Sequence, residues 1–122
     1  MSGMNHSQVT IWHNPKCSKS RQTLKILEDR GITPNVVRYL DTPPTIHEVD
    51  QVLTLLKLEP RQLMRTKEAL YKELALDNPQ LTRQELIQAM VAHPTLIERP
   101  VVRLGNRAVL GRPPEKVLEV LP

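Results

Sequence analysis

Cysteine and aromatic residues are scarce in this chain of 122 residues, and long apolar runs are missing. The single cysteine, Cys17, excludes an intramolecular disulfide framework and a thiolate-rich zinc site, and it suits a reducing compartment. One Trp, two Tyr and no Phe leave almost nothing on which nucleic acid bases could stack. No apolar run approaches the roughly 20 residues that a membrane-spanning helix needs. We therefore expect neither nucleic acid nor membrane as a partner.

The composition that remains is that of one small folded domain over residues 1–122. The chain is 39% hydrophobic and 25% charged, which is enough to bury a core. Its formal net charge is +4, and the basic residues are dispersed, which fits a small anion better than a polynucleotide. Residues 1–6 have neither a basic head nor a hydrophobic stretch. We therefore predict no export signal and expect a cytoplasmic protein.

The first third of the chain alternates strand and helix patterns. Val9–Trp12 is a short β-branched and aromatic run, and Pro15 ends it. Helical spacing follows over residues 18–30, with Gly31 as the C-terminal cap. Residues 36–40 predict a second strand. Strand, helix and strand in this order are typical of a right-handed parallel crossover.

The middle of the chain predicts helices only. Two Thr-x-x-Glu capping boxes, beginning at Thr45 and Thr82, each precede an apolar pattern of helical period. Shorter helices are predicted over residues 60–64 and 67–74. These segments form a helical insertion at about residues 45–92.

The last part of the chain predicts a hairpin and a helix. Residues 101–104 and 108–110 are short apolar runs on either side of Gly105-Asn106-Arg107, as in an antiparallel hairpin. Gly111-Arg112-Pro113-Pro114 then opens a last helix. The whole order predicts an α/β protein with a thioredoxin- or glutaredoxin-like core. In that core a βαβ unit is followed by the hairpin and the last helix, and the helical insertion separates the two halves.

Cys17 lies at the N-terminus of the helix predicted for residues 18–30. The free N–H groups and the positive dipole end of a helix N-terminus lower a thiol pKa, and a thiol is nucleophilic only as the thiolate. Lys16, Lys19 and Arg21 add positive charge nearby. The same N–H groups would hold a tetrahedral oxyanion. A lone cysteine is commonly a small buried apolar residue without chemistry, but the polar neighbours here favour a functional thiol.

Three other cysteine chemistries fit the sequence less well. A Cys-x-x-Cys pair would need a second thiol where Ser20 stands, so this protein must take a thiol from a partner to form a disulfide. A phosphatase loop would need an arginine where Thr23 stands. A cysteine hydrolase would need a histidine base with an orienting partner and an oxyanion-hole motif. The chain offers His13, His47 and His93, but neither of those companions.

Residues 13–21, with the sequence HNPKCSKSR, resemble the active-site motif of the glutaredoxin-linked arsenate reductases of the ArsC type, which have a thioredoxin-like fold. The resemblance extends from Val9 to about Leu121. Its later landmarks recur in order: Leu63-Met64-Arg65, His93-Pro94, Glu98-Arg99-Pro100 and Gly111-Arg112-Pro113. Together these motifs are specific, whereas each alone is weak. The chain departs from the best-known members at Ser18-Lys19, where Gly-Thr is typical.

The resemblance implies an enzyme that reduces arsenate to arsenite. The Cys17 thiolate would attack arsenate, glutathione would add to the arsenylated intermediate, and glutaredoxin would resolve it. The implied partners are therefore arsenate, glutathione and glutaredoxin. No metal or bound cofactor is implied, because glutathione serves as the reductant.

The resemblance also implies a role for each site residue. The implied catalytic residues are Cys17, His13, which lowers the thiol pKa, and Ser20. Guanidinium groups suit tetrahedral oxyanions because they are always charged and present a fork of donors. The implied substrate-binding residues are Arg65, Arg99, Arg112 and Asn14. Pro100 corresponds to the cis-proline that faces the thiol, whereas His47 and His93 are expected to be structural.

Two other functions stay open. One is a glutathione-linked thiol reductase that acts on a mixed disulfide or another small molecule. The other is a regulator of the Spx type, which shares the fold and binds RNA polymerase. Such regulators typically sense oxidation through Cys-x-x-Cys, and Ser20 removes that switch.

Overall fold

A computed structural model describes residues 9–121 of the chain. The described residues divide into two compact units, one of residues 9–42 with 99–121 and one of Pro43–Glu98. Residues 1–6, where we predict no export signal, lie outside the described part. None of the helices between residues 9 and 121 is both long enough and apolar enough to cross a membrane.

The first unit is built on a sheet of four strands in the order β2-β1-β3-β4. These strands are β1 (Val9–Trp12), β2 (Asn35–Val37), β3 (Val101–Leu104) and β4 (Arg107–Leu110). β1 and β2 are parallel, whereas the β1–β3 and β3–β4 pairs are antiparallel. The predictions of an α/β protein, a parallel first pair and a C-terminal hairpin are confirmed.

Two helices cover one face of this sheet. They are α1 (Ser18–Asp29) and a 3-10 helix at Pro114–Val120. Alternate strand residues point into the core they enclose, as the period of a half-buried strand requires. The buried members of this core are Val9, Ile11, Leu27, Ile32, Val102, Leu104, Val109, Val117 and Val120. The core therefore fixes α1, with Cys17 at its start, to the sheet.

The second unit is helical. It contains α2 (Ile46–Leu56), α3 (Ala69–Glu73) and α4 (Arg83–Ala92), with 3-10 turns at Pro60–Leu63 and Pro94–Leu96. Both predicted capping boxes are confirmed. The Thr45 hydroxyl accepts a hydrogen bond of 3.1 Å from the Glu48 N–H, and the Glu48 carboxylate accepts one of 2.8 Å from the Thr45 N–H. Thr82 and Glu85 repeat this arrangement at α4.

The prediction of a second strand over residues 36–40 is wrong at its C-terminal end, where the observed strand is shorter. β2 spans Asn35–Val37, because the N–H groups of Asp41 and Thr42 both donate to the Arg38 carbonyl and turn the chain there. Tyr39, 1% exposed, is a buried residue of this turn, so its apolar character reflects the core and not a strand.

The lengths or types of four other elements also differ from the predictions. The helix predicted over residues 67–74 is confined to Ala69–Glu73, since the backbone at Ala75 is left-handed. α1 ends at Asp29, one residue before the predicted end. The last helix is of the 3-10 type. Arg107, predicted in the hairpin turn, begins β4.

Candidate active site

The pairing of the strands brings three loops to one edge of the sheet. Trp12, the last residue of β1, pairs with Val101, the first residue of β3. Val101 in turn pairs with Leu110, the last residue of β4. Residues 13–17, 99–100 and 111–113 therefore start or end at neighbouring points. This register explains how segments far apart in the sequence meet around Cys17.

Cys17 is the N-cap residue of α1, as predicted. Its N–H donates a hydrogen bond of 2.9 Å to the Asn14 carbonyl. The Asn14 N–H donates one of 3.3 Å to the Ser20 hydroxyl, and the Asn14 side-chain oxygen accepts one of 3.0 Å from the Lys16 N–H. Ser20 is fully buried. Asn14 and Ser20 therefore shape the loop that carries Cys17, and their predicted roles toward substrate stay predictions.

The surroundings of the Cys17 thiol lower its pKa to about 7. Burial acts in the opposite direction and raises the pKa, because it penalises the charged thiolate. Hydrogen bonds from the backbone N–H groups of Ser20 and Lys19 and from the Arg99 side chain, with the positive charge of Arg99, outweigh that effect. About half of the thiol is therefore ionised near neutral pH.

His13 is a buried residue directly after β1, in the loop that leads to Cys17. The residue is 6% exposed, and its backbone N–H donates a hydrogen bond of 2.8 Å to the Val37 carbonyl. Burial lowers the pKa of its imidazole below 6.5, and the positive charges of Arg38 and Arg21 lower it further. These surroundings disfavour the charged form of the imidazole. The groups that lower the thiol pKa are backbone N–H groups and Arg99, and the predicted catalytic role of His13 stays a prediction.

Arg99 and Arg112 meet at the same edge of the sheet. The Arg112 Nη1 donates a hydrogen bond of 3.0 Å to the Arg99 carbonyl. The Arg99–Pro100 bond is cis, as the resemblance implies for Pro100, and the Arg112–Pro113 bond is also cis, which the sequence did not predict. The structure thus brings together Cys17, Arg99 and Arg112, three of the predicted site residues.

Gly111 and Thr23 are neighbours of the site that sequence reasoning missed. The Gly111 N–H donates a hydrogen bond of 2.9 Å to the Pro100 carbonyl. A Cβ at Gly111 would lie 2.5 Å from the Thr23 Oγ1 and 2.8 Å from the Pro100 Cγ. A glycine directly after a strand can mark such a close approach, and this was the available signal. Thr23 gave no signal beyond its place on α1.

Arg65 lies in the helical unit, just after the 3-10 turn Pro60–Leu63. Its backbone N–H donates a hydrogen bond of 2.7 Å to the Leu96 carbonyl, and its side-chain Nη1 lies 3.1 Å from the Glu68 Oε2. The arginine is thus held on both its backbone and its side chain. His47 on α2 and His93 at the end of α4 belong to the same unit. The predicted role of Arg65 toward an oxyanion stays a prediction.

No group of three or more His, Cys, Asp and Glu side chains is placed to hold a metal ion within residues 9–121. The chemical groups gathered at Cys17 are a thiolate, backbone N–H donors and guanidinium groups. Such a set can bind an anion and attack it through sulfur.

Comparison with known proteins agrees with this arrangement. An "Arsenate reductase" of Neisseria meningitidis is 49% identical over 93% of this chain and 98% of its own. The Escherichia coli protein named "Uncharacterized protein YfgD" is 50% identical over 93% of this chain and 97% of its own. The solved structure "Arsenate reductase from Vibrio cholerae" is 54% identical, with a TM-score of 0.90 over 93% of this chain and 97% of that one. The ArsC family model matches residues 12–120. The predicted resemblance and thioredoxin-like fold are confirmed, and the chain belongs to the ArsC family.

Proposed function

We propose that this protein is an oxidoreductase that reduces arsenate to arsenite, with the Cys17 thiolate as nucleophile and with glutathione and glutaredoxin as thiol donors. The observation that carries the proposal is the Cys17 thiol, whose pKa is lowered to about 7 by backbone N–H groups and Arg99. Arsenate is an oxyanion, so the same groups suit its binding. Relatives of about half identical sequence that bear the name arsenate reductase support this substrate.

In the proposed reaction, the Cys17 sulfur bonds to arsenic and one oxygen leaves as water, with arsenic still in the +5 state. The glutathione sulfur then bonds to arsenic and a second water leaves. A glutaredoxin thiolate attacks the glutathione sulfur, and the electron pair of the broken sulfur–arsenic bond reduces arsenic to the +3 state. Hydrolysis with one water releases arsenite and the Cys17 thiolate. The oxidised product is the mixed disulfide of glutathione and glutaredoxin.

External thiols are needed because Cys17 is the only cysteine of the chain. The protein cannot close a disulfide of its own, so both reducing sulfurs must come from other molecules. Arg99 is placed to stabilise the negative charge of the thiolate before attack. Because the guanidinium contacts the sulfur, it would also lie close enough to bind the negatively charged oxygens on arsenic after the attack.

The decisive experiment measures arsenate-dependent NADPH oxidation with glutathione, glutathione reductase and glutaredoxin. We expect turnover with the native protein and none with Cys17→Ser, which removes the nucleophile and changes one atom. Omission of glutaredoxin should also abolish turnover.

Activity in Cys17→Ser would contradict the proposal. Absence of arsenate turnover in the native protein, with Cys17 reduced and the protein folded, would do so as well. Reduction of a mixed disulfide under those conditions would favour the glutathione-linked thiol reductase instead.

A further inference from the structure

Thr23 is a buried polar residue on α1 that the proposed reaction does not use. The residue has 0% exposure, and its Oγ1 donates a long hydrogen bond of 3.5 Å to the Gly111 carbonyl. We infer that Thr23 is a positioning residue, which holds the segment of Gly111 and Arg112, and through it Arg99, in place against the Cys17 sulfur. The inference deepens the proposed function, on which its relevance to arsenate rests.

The first step of the argument links Gly111 to Arg99. The Gly111 N–H donates a hydrogen bond of 2.9 Å to the Pro100 carbonyl. The next residue, Arg112, donates one of 3.0 Å from its Nη1 to the Arg99 carbonyl. Two adjacent residues of one segment therefore fix two adjacent residues of the other. A displacement of Gly111 would move the backbone from which the Arg99 side chain extends.

The second step returns from Arg99 to α1. The Arg99 side chain hydrogen-bonds to the Cys17 sulfur, and Cys17 is the N-cap of the helix that carries Thr23. The contacts thus form a closed ring from Thr23 to Gly111, Arg112, Arg99, Cys17 and back along α1. The helix α1 forms one side of this ring and holds Thr23 and Cys17 at a fixed separation. Thr23 therefore helps to set the distance between the Arg99 side chain and the Cys17 sulfur.

The third step concerns the tightness of the contact. A Cβ at Gly111 would lie 2.5 Å from the Thr23 Oγ1 and 3.1 Å from its Cγ2. The Gly111 backbone therefore packs directly against both branches of the Thr23 side chain. Closely packed groups transmit a shift instead of absorbing it. Valine has the same shape as threonine but no donor for the Gly111 carbonyl, so it separates the hydroxyl from the packing.

The test measures the rate of Cys17 alkylation by iodoacetamide as a function of pH in four variants. Thr23→Val and Thr23→Ala remove the hydroxyl, whereas Thr23→Ser keeps it and differs from Thr23→Ala by one oxygen atom. We expect the first two to react about threefold more slowly than the native protein near pH 6, because a displaced Arg99 stabilises the thiolate less. Thr23→Ser should react as the native protein does. The matched control is Thr54→Val on α2, which removes a hydrogen bond of 3.1 Å from the Thr54 hydroxyl to the Asp50 carbonyl.

A purely structural role would lower the unfolding midpoint and leave the pH profile of alkylation unchanged. Native-like profiles in both Thr23→Val and Thr23→Ala would therefore overturn the inference, as would a Thr23→Ser profile shifted as far as that of Thr23→Ala. If Thr23→Val does not fold, the comparison of Thr23→Ser with Thr23→Ala decides. Alkylation requires no arsenate, so failure of this inference is distinguishable from failure of the proposed function, which the turnover of the native protein reports.

Discussion

The guanidinium of Arg112 donates a hydrogen bond of 3.0 Å to the main-chain carbonyl oxygen of Arg99. The Arg99 side chain in turn hydrogen-bonds to the Cys17 sulfur and helps to lower the thiol pKa. One arginine therefore acts on the thiolate directly, and the other fixes the backbone from which the first extends. The partial negative charge of the Arg99 carbonyl oxygen also offsets part of the positive charge of the Arg112 guanidinium. This interaction favours the presence of two cations at one edge of the sheet.

Arg112→Lys is expected to lower kcat/KM for arsenate by about tenfold or more. Lysine keeps the positive charge but lacks the planar fork that can bond a carbonyl and an oxyanion together. The measurement is the glutaredoxin-coupled turnover assay at several arsenate concentrations. The control is Arg107→Lys, on the exposed start of β4, which should keep native activity. Equal activity of the two variants would show that the fork of Arg112 has no role.

The reactivity of Cys17 is expected to rise with pH and reach its half-maximum at about pH 7. The pKa of the thiol is lowered, so the reactive thiolate accumulates as the pH rises through that value and is lost below it. The rate of alkylation by iodoacetamide, followed over a range of pH, measures this directly. The Cys17→Ser variant, which has no thiol, gives the background rate. A midpoint near 8.5, the value of free cysteine, would contradict the predicted site.

His13→Gln tests which group activates the thiol. Burial and the positive charges of Arg38 and Arg21 lower the pKa of the His13 imidazole and so disfavour its charged form, and the groups that lower the pKa of Cys17 are backbone N–H groups and Arg99. The midpoint of alkylation is expected to stay at about 7 in this variant. A rise of the midpoint toward 8.5 would show that His13 lowers the thiol pKa, as the resemblance implies.

Local sequence signals predicted the elements that local chemistry specifies. The capping boxes at Thr45 and Thr82 fix where α2 and α4 begin, because both partners lie within four residues of each other. The second strand was predicted too long, because the burial of Tyr39 in a turn leaves the same apolar signal as a strand. A local apolar pattern shows that a residue is buried, but it does not show whether distant residues bury it in a strand or in a turn.

The candidate site shows the same division. Cys17 at a helix N-terminus follows from Pro15 and the helical period after it. The contact of Thr23 with Gly111 spans two elements that meet only through the sheet register, so neither segment predicts it alone. The pairing of Arg65 with Glu68 is local, but many surface pairs share that spacing, and no rule marks this one.

Gly111→Ala is expected to lower the free energy of unfolding by about 1–3 kcal/mol. The added Cβ would lie 2.5 Å from the Thr23 Oγ1 and 2.8 Å from the Pro100 Cγ, and neither neighbour is the free end of a long side chain. Urea denaturation measures the change. The control is Gly105→Asn in the hairpin turn, where φ is +58° and nothing lies within 4 Å of an added Cβ. Asparagine tolerates such a backbone, so this variant should lose less than about 1 kcal/mol. Equal losses in the two variants would show that the space at Gly111 is not limiting.

Arg65→Ala is expected to lower kcat/KM for arsenate by about a hundredfold and to leave the free energy of unfolding almost unchanged. The ion pair of Arg65 with Glu68 is 3.1 Å long, but both side chains are about one third exposed, at 32% and 35%. Pairs so exposed contribute about 0–1 kcal/mol to stability, so a large loss of activity cannot come from unfolding. The coupled assay and urea denaturation measure the two quantities.

Glu68→Gln separates the arginine from its ion pair. This variant breaks the salt bridge but keeps the Arg65 guanidinium and the hydrogen bond of 2.7 Å from its N–H to the Leu96 carbonyl. If Arg65 holds the oxyanion, as the family resemblance implies, Glu68→Gln retains most of the activity that Arg65→Ala loses. An equal loss in both variants would mean that the ion pair itself is what the reaction needs. Full activity in Arg65→Ala would place the residue outside the site, and oxyanion binding would then depend on Arg99, Arg112 and the N-terminus of α1.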